Sequence, residues 1–170
     1  MHALVTAPST SRFLAAAAQH QAGFKPGARS AAPARHVAVV ACMDARLDLF
    51  RLLGLEVGDA HILRNAGGRV TDDVIRSLVL SSHALGTREV LVIHHTGCGL
   101  LGTTNDELRA RVHAATGQRA DHIDFLPFDD AHASVRHDVE LVRACELLPA
   151  DLVAWGCVYD VADGSLTQVA

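Results

Sequence analysis

The chain has 170 residues, 49% hydrophobic and 20% charged, with a formal net charge of −4 at neutral pH. That length and balance fit one globular domain with a substantial core. No Lys/Arg block occurs anywhere, so the charge gives no electrostatic reason to expect a nucleic acid or an anionic membrane as partner.

In chain order, the alanine-rich piece SRFLAAAAQH at 11–20 comes first. Its apolar run is short, with no basic leader and no convincing small-residue cleavage site, so it reads as neither signal peptide nor membrane span. Residues 11–24 predict an amphipathic helix, set off by the Gly/Pro/Ala-rich linker GFKPGARSAAPAR at 23–35. A helix on such a linker packs on a partner subunit as readily as on its own domain. The division expected is a helical arm and linker over 1–35 and an α/β domain over 36–170.

Four apolar runs then read as buried strands: HVAVVACMD at 36–44, AHILRNAG at 60–67, REVLVIHHT at 88–96 and DLVAWGCVYDV at 151–161. After the turn ADGS, the tail LTQVA at 166–170 is expected as an antiparallel edge strand. Between the runs lie helical patterns. Thr71 is placed to cap a helix that carries Asp72 and Asp73 in its first turn and stops at Gly86. Thr104 and Glu107 form a capping box ahead of a helix that ends at Gly117. VRHDVELVRACELL at 135–148 reads as a further helix carrying Cys145, whereas 118–132 reads as irregular.

Strands alternating with helices predict an α/β fold: a mostly parallel four-stranded sheet, the extra antiparallel edge strand, and helices on both faces. In such sheets ligands bind at the carboxyl ends of the strands. Cys42 and the pair His95/Cys98 fall at those ends.

His95 and Cys98, three apart beside Gly97 and Gly99, can bring an imidazole nitrogen and a thiolate to one ion. Cys42 supplies a third donor, and a Cys2His set is the number expected of a catalytic zinc that keeps one position open. Two thiolates cancel the charge of such an ion, so a further group must favour hydroxide. Asp44 is placed to accept a hydrogen bond from it, with Arg46 two residues on, sharing a face if the segment is extended, to hold the carboxylate ionised. His94 points to the opposite face of its strand and reads as a satisfied core histidine. Arg64, Asn65, Gly67 and Gly68 read as a turn packed beneath the site. Cys145 and Cys157 read as core thiols, and His113, His122, His132 and His137 as solvated side chains. An even but widely spaced set of four cysteines suggests no disulfide framework, and the expected setting is reducing and cytoplasmic.

The pattern C-x-D-x-R at Cys42, Asp44 and Arg46, followed by H-x-x-C at His95 and Cys98, resembles the β-class carbonic anhydrases. The likeness runs through residues 34–112, including RNAGG, and continues more loosely in GCVYDVADGSL. It implies one Zn²⁺ per chain on Cys42, His95 and Cys98, and reversible hydration of carbon dioxide to bicarbonate by zinc-bound hydroxide. Asp44 and Arg46 would be the dyad that orients the hydroxide, with backbone N–H groups near Gly99 polarising the substrate. The family further implies a homodimer or dimer of dimers, with the N-terminal helix projecting onto the neighbouring subunit. Larger members line the cleft with a glutamine and two aromatic residues. This chain has no counterparts at matching places, so it resembles a short bacterial-type subgroup. The resemblance also implies that Asp44, released from Arg46 at lower pH, would swing onto the metal.

Three other readings remain open. Carbonyl sulfide or carbon disulfide hydrolysis would use the same scaffold. A non-catalytic binding or sensory module would keep its zinc capped by Asp44, which leaves Arg46 without a role. A dithiol redox protein lacks the C-x-x-C it would need.

Overall fold

Uninterrupted runs of β-branched and small apolar residues make strands buried on both faces, as at Val37–Cys42 and Glu89–His95. The strand Ala60–Asn65, expected to be buried, has no fully buried residue because it lies at the sheet edge. In the computed structural model, which describes residues 9–24 and 30–170, β1 (Val37–Cys42), β2 (Ala60–Asn65), β3 (Glu89–His95) and β4 (Val153–Tyr159) pair in parallel. The short β5 (Leu166–Gln168) runs antiparallel to β4, completing a mixed five-stranded sheet in the order β2-β1-β3-β4-β5. The strands are shorter than their apolar runs. The run at 60–67 stops at Asn65 because Ala66–Gly68 turn into a short 3-10 segment.

The helices follow their caps. In α3 (Asp72–Leu85) the Thr71 side chain accepts from the Val74 N–H, and Gly86 ends the helix in the left-handed conformation. In α4 (Asn105–Thr116) the Thr104/Glu107 capping box is formed and Gly117 is the left-handed terminator. Two readings need correction. The helix expected at 135–148 is α5 (Ala131–Arg143): it starts earlier because Asp130 caps it, accepting from the Ala133 N–H, and it stops before Cys145. Cys145 therefore lies in the turn after the helix, half-buried against the core. A short α2 (Leu49–Leu53), between the Asp48 cap and left-handed Gly54, was not anticipated from the apolar pattern.

The expected N-terminal helix is α1 (Thr10–Gly23), and none of its residues is buried; Phe13 is 70% and Leu14 65% exposed. Residues 1–8, and 25–29 in the middle of the predicted linker, lie outside the described residues. No helix among the described residues is long and apolar enough to cross a membrane.

Side chains alternate between the sheet's faces, and two cores result. On one face Val40, Val90 and Val92 meet Val74 and Leu78 of α3 and Val135, Val139 and Val142 of α5. On the other, Val39, Leu91 and Ile93 meet Leu47, Leu49 and Leu100. The alternation separates the neighbouring histidines: His94 follows Val90 and Val92 toward α5, and His95 follows Leu91 and Ile93 to the opposite face.

Helix α5 packs directly on the backbone of β4 at Gly156, where an added Cβ would run into Val135 Cγ1 and lie 2.9 Å from Val139 Cγ2. Gly156→Ala should therefore overpack this layer by about 1–3 kcal/mol, lowering Tm by roughly 2–12 °C in a thermal melt.

Candidate metal centre

Parallel pairing places Ala41 opposite Ile93, so the ends of β1 and β3 lie side by side and bring Cys42 and His95 together. The turn after β3 returns Cys98 to the same point, with Gly97 in the left-handed conformation at φ 63°. The Sγ atoms of Cys42 and Cys98 and a ring nitrogen of His95 all lie within 4.8 Å of one another, and all three residues are buried.

The imidazole is oriented for this role. His95 Nδ1–H donates to the Thr96 carbonyl at 2.9 Å, which leaves Nε2 as the lone-pair nitrogen. Nε2 is fully buried and has no hydrogen-bond partner. A buried acceptor left unsatisfied between two thiols is costly unless an ion occupies the gap. The donor set, two soft thiolates and one imidazole, suits zinc.

The two thiols lie close enough to shift each other in opposite directions. A hydrogen bond from Cys98 pulls Cys42 down to about 4 against the opposing effect of burial, with help from His95 and from the backbone N–H groups of Asp44 and Gly67. The same partnership, together with burial, pushes Cys98 up. Burial draws the His95 imidazole down, but the neighbouring Cys42, the bond to the Thr96 carbonyl and the charge of Asp44 outweigh that and raise it. A divalent cation held by these atoms would displace their protons.

Asp44 and Arg46 meet as expected but by a different geometry. The segment after β1 is a turn, not an extended strand: Leu47 N–H donates to the Asp44 carbonyl at 3.1 Å, and the Arg46 backbone N–H donates to Asp44 Oδ1 at 2.9 Å. Arg46 Nε then donates to Oδ1 at 2.9 Å and Nη2 to Oδ2 at 2.7 Å, a bidentate pair. Arg46 Nη2 also donates to the Gly97 carbonyl at 3.0 Å, tying the dyad to the turn that carries Cys98. These bonds from Arg46 hold the Asp44 carboxyl well below the usual carboxylate range. Its Oδ2 faces His95 Nε2 at 3.8 Å, beside the donor cluster.

The end of β2 packs beneath the site, as its position suggested. Arg64 donates to the carbonyls of Cys42 at 2.9 Å and Asp44 at 2.6 Å, and Asn65 donates to the Arg69 carbonyl at 2.7 Å. Gly99 is exposed, with open space where a side chain would stand. Cys157 is buried, and burial pushes its thiol up. His113, His122, His132 and His137 are exposed.

The sequence reading passed over one cluster. Asp138 of α5 is completely buried and accepts from Arg69 Nε at 2.8 Å, Arg69 Nη2 at 3.1 Å and the Val70 N–H at 3.2 Å, while His94 Nε2 lies 3.2 Å from its Oδ2. A signal existed: Asp138 occupies the apolar spacing of Val135, Val139 and Val142, where a carboxylate must find partners. A groove of about 500 Å³ opens beside the β2 edge, lined in part by Arg64, Asn65, Val74, Phe125 and Leu126, but none of the three metal donors lines it.

A family model described as carbonic anhydrase matches residues 37–166. Beta-carbonic anhydrase 1 of Mycobacterium tuberculosis is 42% identical over 162 residues, covering 94% of this chain and 97% of that protein. The crystal structure of carbonic anhydrase from Streptococcus mutans matches with a TM-score of 0.90 at 43% identity, covering 98% of this chain and 100% of that one. A carbon disulfide hydrolase of Acidithiobacillus thiooxidans is 33% identical over 156 residues, covering 78% of this chain and 71% of that protein.

Two outcomes are expected. Cys42→Ser and Cys98→Ser should each lose zinc on dialysis against a chelator that the unaltered chain withstands, measured by metal analysis at unchanged far-UV circular dichroism. Burial alone would raise the Asp138 carboxyl, but hydrogen bonds and charge from His94 and Arg69 outweigh it and hold the carboxyl below its ordinary value. Its ionised form thus contributes stability above about pH 4 and loses that contribution as the pH falls through the folded-state value. Asp138→Asn should cost roughly 3–5 kcal/mol at neutral pH in urea unfolding, the gap to the unaltered chain narrowing at acid pH.

Proposed function

The chain belongs to the β-class carbonic anhydrases, a family of zinc enzymes, and we propose that it hydrates carbon dioxide reversibly to bicarbonate and a proton at a centre formed by Cys42, His95 and Cys98. The observation that carries this reading is the convergence of two thiols and a buried, unpartnered imidazole nitrogen beside an Arg-held carboxylate. Zinc bound there supplies an acidified water as nucleophile and a charge to stabilise the product anion.

The chain's own residues do the rest. Asp44, kept ionised by Arg46, is an acceptor only, so it selects a nucleophile that carries a proton and turns its free lone pair toward the substrate. The Arg46 guanidinium orients that carboxylate through two bonds, and its third, to the Gly97 carbonyl, keeps Asp44 off the metal position. Backbone N–H groups near Gly99 are assigned to polarising a substrate oxygen, in keeping with its open surroundings. Releasing Asp44 from Arg46 at low pH would let the carboxylate close the site.

In this reading residues 36–170 form the catalytic domain and 1–35 an arm. The exposed Phe13 and Leu14 of α1 suit contact with a second copy, in a homodimer or a dimer of dimers. The free thiols and the absence among the described residues of a membrane-spanning helix support a cytoplasmic setting. The alternative reading, hydrolysis of carbonyl sulfide or carbon disulfide, rests on the resemblance to carbon disulfide hydrolases.

Stopped-flow carbon dioxide hydration at mildly alkaline pH, on zinc-quantified protein beside Cys98→Ser, tests the proposal. Turnover in the first and none in the second is the expected result. Full zinc occupancy with turnover of carbon disulfide or carbonyl sulfide alone would favour the alternative. Full occupancy with no turnover on any of the three would leave a capped binding module. Within an active enzyme, Arg46→Ala should lower kcat/KM by about 10²-fold or more, since it frees the carboxylate that orients the nucleophile.

A further inference from the structure

The Arg69–Asp138–His94 cluster lies on the face of the sheet opposite the metal donors, and the reaction as described does not use it. Its partners nevertheless reach the donor residues through the chain: His94 is next to a donor, and Arg69 and Val70 follow a turn that packs on the strand end bearing another. His94 directly precedes His95, and its Nε2 lies 3.2 Å from both the Gly68 carbonyl and Asp138 Oδ2. The Val70 N–H and the Arg69 guanidinium fix the next two residues of the same turn to Asp138.

That turn is wedged between the two strands that bear the donors. Gly68 has φ 70°, and a Cβ there would stand 2.8 Å from the Cys42 nitrogen and 2.9 Å from the Ile93 carbonyl oxygen. The preceding Gly67, at φ 78°, also has no room for a side chain: a Cβ there would stand 2.8 Å from Leu100 Cδ1. Arg69 Nη1 extends the tie to the Leu126 carbonyl at 2.6 Å, where Leu126 sits in the left-handed region at φ 55°. The guanidinium and the His94 ring also both lie on Phe128.

We propose that Asp138 is a positioning residue for the metal centre: by gripping Arg69, Val70 and His94 it holds the Gly67–Gly68 wedge against β1 and β3 and so fixes the separation and aim of Cys42 and His95. An apolar layer would support the sheet at less desolvation cost than three buried polar side chains. What the cluster adds is direction, because hydrogen bonds from one carboxylate set the turn's register where van der Waals packing alone would let it shift. The inference rests on the assignment of zinc to Cys42, His95 and Cys98.

The test compares the unaltered chain with Arg69→Met/Asp138→Leu, which removes both charges together, and with Asp138→Asn, which keeps the shape. Zinc affinity is read by competition with a chromophoric chelator, ligand geometry by the visible spectrum after Co²⁺ substitution, and folding by far-UV circular dichroism. Expected is a folded double variant that binds zinc about 10- to 100-fold more weakly, with a displaced Co²⁺ spectrum. Asp138→Asn decides the matter if the double variant does not fold. Either folded variant with unaltered affinity and spectrum overturns the inference. Failure of both to fold overturns it too, since the cluster would then support the whole domain and not the site. An unaltered chain that takes up no zinc would instead overturn the metal assignment, and the inference with it.

Discussion

Everything at the metal centre depends on the register of β1 against β3. Parallel pairing of Val37 with Glu89 carries through to Ala41 with Ile93, and the donors sit just beyond, at the ends where side chains are free to converge. A slip of one residue would exchange the faces of β3. His94 would then meet Cys42, and His95 would point at α5, where a carboxylate waits. The uninterrupted Val, Ile and Leu pattern that buries this strand on both faces is thus also what selects which of two adjacent histidines meets the thiols.

The charge of the site shapes the rest of its chemistry. Two thiolates neutralise a divalent ion formally, so the metal alone acidifies water less than it would among three neutral imidazoles. Asp44 cannot remedy this by its charge, which opposes deprotonation nearby. It contributes by geometry, as an acceptor whose direction is set by Arg46. Arg46 is half exposed, with 52% of its side chain open to solvent, and a lone surface ion pair there would contribute little. Its third bond, to Gly97, changes that. The turn bearing Gly97 is itself held, since Thr96 Oγ1 donates to Asp160 at 3.0 Å and the Thr96 N–H donates to the Tyr159 carbonyl.

Most of this was legible in the sequence where a local rule governs. Caps at Thr71 and Thr104, terminators at Gly86 and Gly117, and the four parallel strands all follow from composition and periodicity within a dozen residues. The three donors were legible because cysteine and histidine at strand ends are chemically conspicuous. Legibility failed where a contact spans the chain. Asp138 is 69 residues from Arg69, and Arg46 reaches Gly97 across 51. The extended geometry expected for Asp44 and Arg46 failed for a local reason: an Asp side chain can bond its own backbone two residues on and convert a strand end into a turn. Residues 118–132 looked irregular because their order comes from elsewhere, through the isolated pairing of Leu101 with Phe128 and the bond from Arg69 to Leu126.

Taken together, adjacent residues of one strand serve two opposed polar clusters. His95 opens onto a cluster whose unpartnered nitrogen and paired thiols call for a cation, while His94 opens onto one whose carboxylate is already saturated by four donor atoms. If both clusters were incomplete, each would draw the strand toward its own side. With the Asp138 carboxylate satisfied, the turn it grips has one stable position, and the site on the other side is built against a fixed wall. The link between the two is the Gly67–Gly68 turn, which touches Cys42 on one side and Asp138's partners on the other. Its two glycines meet separate demands, because Gly68 must pass between two strand backbones while a side chain at Gly67 would run into Leu100.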